Sequence, residues 1–122
     1  MKLHLTTAEN NNLITGYSAG FVEINRQRYS TNLIVMADKL LIDWQATDFA
    51  SLTAAHFVQI LALKPEVVIL GTGEKHQFLH PKTVQNLTDN GVPLECMTTA
   101  AACRTYNILM SEGRNVVAAL LI

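Results

Sequence analysis

The apolar residues in the first half of the chain fall into short segments that glycine, asparagine and aspartate interrupt. Segments with the length and the β-branched or aromatic content of strands are residues 13–17, 21–24, 28–35 and 39–44. Residues 25–27 form the predicted hairpin turn, and Ala37-Asp38 forms the bend before the last segment. Because no helical spacing intervenes, this half predicts an antiparallel meander or a small side sheet.

The second half of the chain shows apolar positions three and four residues apart, which predicts helices with one buried face. The first helix starts at Ser51 or Thr53, either of which can cap it, and ends before Pro65. Its apolar stripe consists of Ala55, Val58, Leu61 and Ala62. The second helix starts at Pro81 and closes at Gly91, since glycine adopts the left-handed conformation common at helix ends.

A third helix and three strands account for the remaining pattern. Thr98 or Thr99 caps this helix and Gly113 ends it, with an apolar stripe of Ala102, Tyr106, Leu109 and Met110. Strands are predicted at residues 67–70, 93–97 and 116–122. The first of these lacks polar alternation, which is typical of a strand covered on both faces. The direction of the last strand stays open, because a helical crossover permits a parallel strand and a tight return an antiparallel one.

This order of elements predicts a single α/β domain over residues 1–122, with a mixed sheet and helices on at least one face. The chain is 49% hydrophobic, which suffices for a core without disulfides or metal. Its net charge of −1 and scattered basic residues argue against nucleic-acid binding. Its apolar runs are far shorter than the roughly 20 residues of a transmembrane helix. No targeting leader is visible at the N-terminus, so we expect a cytoplasmic location.

Candidate chemistry centres on a glycine loop that leaves the carboxyl end of a buried strand, where α/β sheets commonly bind ligands. If the next strand lies beside it, the start of the third helix joins the same crevice and offers backbone N–H groups to an anion. The candidate ligand-binding residues are Gly71, Thr72, Gly73, Thr98, Thr99, Arg104, Asn107 and Arg114. The alternative interpretation is that both glycines serve only a tight turn. His76 stands where a dinucleotide-binding fingerprint needs its third glycine.

Other reactive residues do not form a recognisable set. His76 and His80 are four residues apart, but Pro81 separates them from the helix and no third ligand is near, so we predict no metal and no cofactor. Cys96 and Cys103 do not form a CxxC pair, and we predict that both are small buried residues. The alternative for Cys103 is a reactive thiol, because the dipole at a helix start can lower the pKa of a thiol. No catalytic triad is indicated by local spacing, so catalytic residues are not assigned and enzyme activity is not favoured.

Several of these segments together resemble a known family. They are Gly71-Thr-Gly-Glu74, Gly91-Val-Pro-Leu-Glu95, Thr99, Ala102-Cys103, Thr105-Tyr-Asn107, Leu109 and Glu112-Gly-Arg114. The chain is similar over its whole length to the Mth938-like domain family. That family includes bacterial proteins of unknown function, a mitochondrial assembly factor for respiratory complex I and an adipogenesis-associated protein. The resemblance implies three layers: a central mixed sheet, helices, and a small antiparallel β layer from the N-terminal half.

The resemblance supplies no catalytic residues and implies a non-catalytic interaction module, such as an accessory or assembly factor for a respiratory complex. Such a module predicts a protein partner, and Phe49, Phe57 and Phe78 are candidates for an exposed contact patch. The alternative is a binder or enzyme for a small anionic ligand held in the crevice. The sequence leaves monomer and homodimer open.

Overall fold

The computed structural model describes residues 11–122. The strands are β1 (Ile14–Ser18), β2 (Phe21–Ile24), β3 (Gln27–Tyr29), β4 (Leu33–Met36), β5 (Lys39–Leu41), β6 (Val67–Gly71), β7 (Leu94–Met97) and β8 (Val116–Leu120). The helices are α1 (Ala54–Leu61), α2 (Gln85–Asp89) and α3 (Thr99–Ser111), with short 3-10 turns at Phe49–Ser51 and Pro81–Val84. The helix predicted from Pro81 thus begins as a 3-10 turn that continues into α2.

The strands within the described residues form two sheets. β1, β2 and β3 make a small antiparallel sheet, whereas the large sheet has the order β5-β4-β8-β6-β7. In the large sheet β6 runs parallel to both β7 and β8, while β4 runs antiparallel to β5 and β8. The last strand is therefore parallel to β6, which answers the question that the sequence left open: α3 carries the chain back across the sheet before β8 begins.

The segment predicted as one strand over residues 28–35 is divided between the two sheets, so that prediction was wrong. β3 ends at Tyr29 in the small sheet and β4 begins at Leu33 in the large one. Asn32 anchors the segment between β3 and β4, because its side-chain amide donates to the carbonyls of Ala46 and Thr47 at 2.7 and 3.0 Å. Local apolar content does not distinguish one long strand from two short strands joined by such a polar anchor.

Two hydrophobic clusters lie on opposite faces of the large sheet. The cluster between this sheet, α3 and the small sheet includes Ile24, Leu33, Ile69, Tyr106 and Leu120. The cluster beneath α1 and α2 includes Ile34, Phe57, Ile60, Leu70 and Val117. Alternate residues of β6 enter both clusters, which confirms that this strand is covered on both faces. The three-layer α/β fold with a mixed central sheet is thereby confirmed.

The predicted inward face of α1 was wrong. The stripe of Ala55, Val58, Leu61 and Ala62 does not form the buried face, since Phe57 and Ile60 are fully buried and Val58 is 49% exposed. Phe57 and Ile60 carry more apolar surface than the alanines, so turning them toward the sheet removes more of it from water. In α3, by contrast, Ala102, Tyr106 and Met110 are buried as predicted.

Candidate functional site

The glycine loop after β6 and the start of α3 lie side by side, as the sequence predicted from their strands. Gly71 is in register with Met97 at the end of the parallel pair β6 and β7. The N–H of Thr72 donates to the carbonyl of Met97 at 2.8 Å, and the N–H of Thr99 donates to the carbonyl of Gly73 at 2.9 Å. The carboxyl ends of two neighbouring strands therefore meet at the N-terminus of α3.

Thr99 joins three segments at this point. Its hydroxyl accepts a hydrogen bond from the N–H of Gly73 at 2.8 Å and donates one to the carbonyl of Leu121 at 2.7 Å. Gly71 packs directly against it: a Cβ added at Gly71 would lie 2.9 Å from the Thr99 hydroxyl oxygen and 3.0 Å from its Cα. Gly71 is thus required for close packing of α3 on β6, independently of any ligand.

The other two threonines also have internal partners. The buried hydroxyl of Thr72 lies 2.5 Å from the carbonyl oxygen of Lys75 and 3.1 Å from that of Met97. Thr98 caps α3, because its hydroxyl accepts a hydrogen bond from the N–H of Ala101 at 3.3 Å. Thr98 still has a hydroxyl hydrogen to donate, so it is the threonine best able to contact a bound molecule.

A cavity of about 540 Å³ adjoins this point, between the β1–β2 turn and the first turn of α3. Residues from both sides line it, among them Tyr17, Phe21, Gly73, Thr98 and Ala100. Glu74 also lines it and brings negative charge. Two cations contact lining residues: the Nη1 of Arg104 donates to the Tyr17 hydroxyl at 2.7 Å, and the Arg28 guanidinium lies 4.3 Å from the centroid of the Phe21 ring. The cavity is therefore a mixed electrostatic environment rather than a uniformly basic one.

The structure places two of the predicted site residues away from the crevice. Asn107 holds β1 against α3: its side-chain oxygen accepts from the N–H of Ile14 at 2.9 Å and its amide donates to the Ile14 carbonyl at 2.7 Å. Arg114 lies beyond the far end of α3, about 20 Å along the helix from its start. There its Nε forms an exposed ion pair with Glu66 at 3.1 Å.

A second concave surface escaped the sequence analysis. A groove of about 840 Å³ runs along β7, with walls from the loop at residues 76–79 and from residues 81–92. Phe78 is 77% exposed at its lip, and its ring lies 4.4 Å from that of His76. The contact patch predicted from three phenylalanines was wrong as a unit, because Phe57 is fully buried and Phe49 is half-buried. The sequence feature that could have indicated this groove is Phe78, an aromatic residue in a polar loop that shows no helix or strand periodicity.

Neither cysteine has the environment of an activated thiol. Burial raises the pKa of the Cys103 thiol from 9.0 to about 11, which outweighs the opposite effect of the Arg104 charge. Burial also raises the pKa of Cys96. Among residues 11–122, no group of three or more His, Cys, Asp or Glu side chains is placed to hold a metal ion.

Similarities to known proteins were found at the level of family, sequence and structure. A model of the family described as "Protein of unknown function (DUF498/DUF598)" matches residues 14–121. The 13 kDa major membrane protein of Francisella tularensis subsp. holarctica (strain LVS) is 37% identical over 103 residues, which cover 82% of each chain. In the part of our chain that the structure describes, no helix is long and apolar enough to cross a membrane. The cytoplasmic location stays a prediction.

A longer relative and a solved structure add to this picture. NADH dehydrogenase (ubiquinone) 1 alpha subcomplex assembly factor 3 of Mus musculus is 34% identical over 89 residues, covering 71% of this chain and 48% of the mouse protein. The chain thus spans about half the length of that relative. The solution structure of a Bordetella pertussis protein, a Mth938-like domain, matches with a TM-score of 0.79 and 34% identity, covering 90% of this chain and 85% of that one.

Proposed function

This chain belongs to the DUF498/DUF598 family and has a Mth938-like domain, and from that premise we propose that it is a non-catalytic accessory factor that binds another protein during assembly of a larger complex. The observation that carries the proposal is the similarity to the mouse assembly factor, which extends over 71% of this chain. The shared part is 89 residues long. A respiratory complex is the assembly that we propose for it.

The site geometry supports a binding role over catalysis. The hydroxyls of Thr72 and Thr99 are hydrogen-bonded within the protein, and both thiols have raised pKa values, so these groups are poor nucleophiles. Phe78 is exposed beside an apolar groove, an arrangement typical of contact surfaces for other proteins.

The test is affinity capture of the tagged protein from extract of its native cells, with mass spectrometry of what is retained. We expect a defined set of protein partners, and subunits of the respiratory NADH dehydrogenase among them if the assembly is that complex. Phe78→Ser should reduce their recovery, whereas Ile42→Ser, at a side chain 49% exposed elsewhere, serves as the matched control. If the wild-type chain enriches nothing above an untagged extract, the protein is not such a factor.

A second candidate function is binding of a small anion in the cavity of about 540 Å³. The observation in its favour is that Thr98, the cap of α3, and Ala100, in its first turn, both line the cavity. The cap has a hydroxyl, and the first turn of a helix has backbone N–H groups that can bind an anion. Titration calorimetry with inorganic phosphate and with a small carboxylate checks it. Thr98→Ala and Arg104→Ala should each weaken binding several-fold, while Arg114→Ala at the far end of α3 should not. Unchanged affinity in both cavity variants would eliminate this site.

A further inference from the structure

β7 is an edge strand of the large sheet, and one side of its backbone is open. Among the strands within residues 11–122, it pairs only with β6, at the end of the strand order. The carbonyls of Pro93 and Met97 accept hydrogen bonds from Val68 and Thr72, so these residues and Glu95 between them direct their backbone groups toward β6. By the alternation of a parallel ladder, the N–H and C=O of Leu94 and Cys96 point outward. Within residues 11–122, no backbone or side-chain hydrogen bond reaches those outward groups.

The opposite edge of the sheet is protected in ways that β7 is not. The Asn12 amide donates to the carbonyl of Lys39 at 3.0 Å, and the Thr31 hydroxyl donates to that of Ile42 at 2.8 Å. Side chains therefore already bind carbonyls at the first residue of β5 and at the residue that follows the strand. β7 instead borders an open groove of about 840 Å³.

The two faces of β7 differ in chemistry. Leu94 and Cys96 pack with Leu79, Val84 and Val92 on the face of the sheet that carries α2. Glu95 alternates with them, is exposed, and points to the opposite face. Among the described residues that line the groove, Glu95 is the only carboxylate, and none is a lysine or arginine. Within the described chain, no ion pair involves Glu95.

We infer that β7 is the docking edge for an extended segment of a partner protein, which adds to the large sheet as a sixth strand and carries a lysine or arginine opposite Glu95. Backbone hydrogen bonds to Leu94 and Cys96 align the segment, as in other cases of strand addition. Side chains on either side of the basic residue point into the groove and are apolar. The occupant therefore has one basic residue with an apolar residue directly before it and another directly after it. The charge of the basic residue is complementary to that of Glu95. This inference rests on the proposed function and names its contact surface.

A second copy of this chain is a poorer occupant of the same edge. The antiparallel register that uses every outward backbone group of β7 pairs Leu94 of one copy with Cys96 of the other. That register brings the two Glu95 side chains directly opposite each other, where like charges are destabilising. A basic residue from a different protein removes this repulsion and replaces it with attraction.

The experiment is selection of a displayed random library of nine-residue peptides on the full-length protein. Enriched peptides should alternate apolar residues around one lysine or arginine. A synthetic copy of an enriched peptide should bind Glu95→Lys at least tenfold more weakly than wild type, and Glu112→Lys, an exposed acid elsewhere, within twofold. A peptide whose basic residue is changed to glutamate should show the opposite preference. Equal binding to wild type and Glu95→Lys, or no enrichment over bare support, overturns the inference.

Amide hydrogen exchange gives an independent readout of the same contact. The amides of Leu94 and Cys96 should exchange fast in the free protein and at least tenfold more slowly with peptide bound. Slow exchange of both amides without peptide, or slowing that accompanies dimer formation as protein concentration rises, overturns the inference because the edge is then already occupied. Partners captured from extract equally well by wild type and Glu95→Lys leave the proposed function intact and overturn only this surface. An extract that yields no partner for wild type counts against the proposed function itself.

Discussion

Gly71 sets the distance between the end of β6 and the start of α3. Its missing side chain lets the Thr99 backbone approach so closely that a Cβ would lie 3.0 Å from the Thr99 Cα and 3.1 Å from Leu120 Cδ2. Since that Cα belongs to the first residue of α3, relief would need a shift of the whole helix start. The hydrogen bonds that Thr99 makes to Gly73 and Leu121 depend on the same spacing.

Gly71→Ala should therefore lower the free energy of unfolding by about 1–3 kcal/mol through overpacking. Gly16→Ala in β1 is the matched control, because its added Cβ would meet Glu23 no closer than 3.5 Å. Urea unfolding followed by circular dichroism measures both variants. Equal midpoints for the two alanine variants would show that α3 adapts without cost.

Cys103 links the buried face of α3 to stability at high pH. Its folded-state pKa of about 11 lies above the ordinary value of 9.0, so the unfolded chain loses this proton first as pH rises. The stabilising contribution is complete below pH 9 and is lost between pH 9 and 11. Two pKa units correspond to roughly 2–3 kcal/mol.

We expect wild-type stability to fall more steeply between pH 9 and 11 than that of Cys103→Ala, which has no thiol to ionise. The pKa of Tyr106 is also raised by burial, but Tyr106 is present in both proteins, so the difference in slope reports Cys103. Guanidinium unfolding at intervals of pH checks this, starting at neutral pH to measure the cost of the smaller side chain. Parallel pH profiles for the two proteins would contradict the expectation.

At the scale of elements, Asn107 on α3 makes two of the hydrogen bonds that hold the small sheet against the rest of the molecule. Asn107 satisfies both backbone groups of Ile14, and Tyr106 adds a hydrogen bond from its hydroxyl to the carbonyl of Asn12 at 2.7 Å. These contacts cross more than 90 residues of sequence. No local sequence pattern predicts these hydrogen bonds.

Asn107→Ala should leave the N–H and C=O of Ile14 without their partners and lower the free energy of unfolding by about 1–3 kcal/mol. The effect should be regional: in the variant, hydrogen exchange should accelerate more at the amides of β1 and β2 than at those of β6 and β8. Asn90→Ala, which removes an exposed bond to the Asn86 carbonyl, provides the control. Uniform acceleration across both sheets would mean that the small sheet and the core unfold as one unit.

For the molecule as a whole, the sequence predicted what depends on local pattern and element order. The buried strand predicted at residues 67–70 and the helix cap predicted at Thr98 or Thr99 follow from such rules, and the structure has the strand at Val67–Gly71 and the cap at Thr98. The Mth938-like resemblance and the three-layer fold were confirmed. The internal hydrogen bond of the Thr99 hydroxyl could not be predicted, because its acceptor, the carbonyl of Leu121, lies 22 residues further along the chain, just after β8. The distance of Arg114 from the crevice could have been estimated from the length of α3 alone.

The place of β8 in the sheet has a consequence for how the chain folds during synthesis. β8 lies between β4 and β6, yet it is the last of the described strands to leave the ribosome. Until residues 116–120 emerge, β4 and β6 have no common neighbour and both expose apolar edges. Joining residues 33–35 to residues 118–120 closes a long loop, which slows folding and prolongs that exposure. The order of synthesis thus lengthens the interval in which the nascent chain, with β4 and β6 still unpaired on one side, is exposed to aggregation.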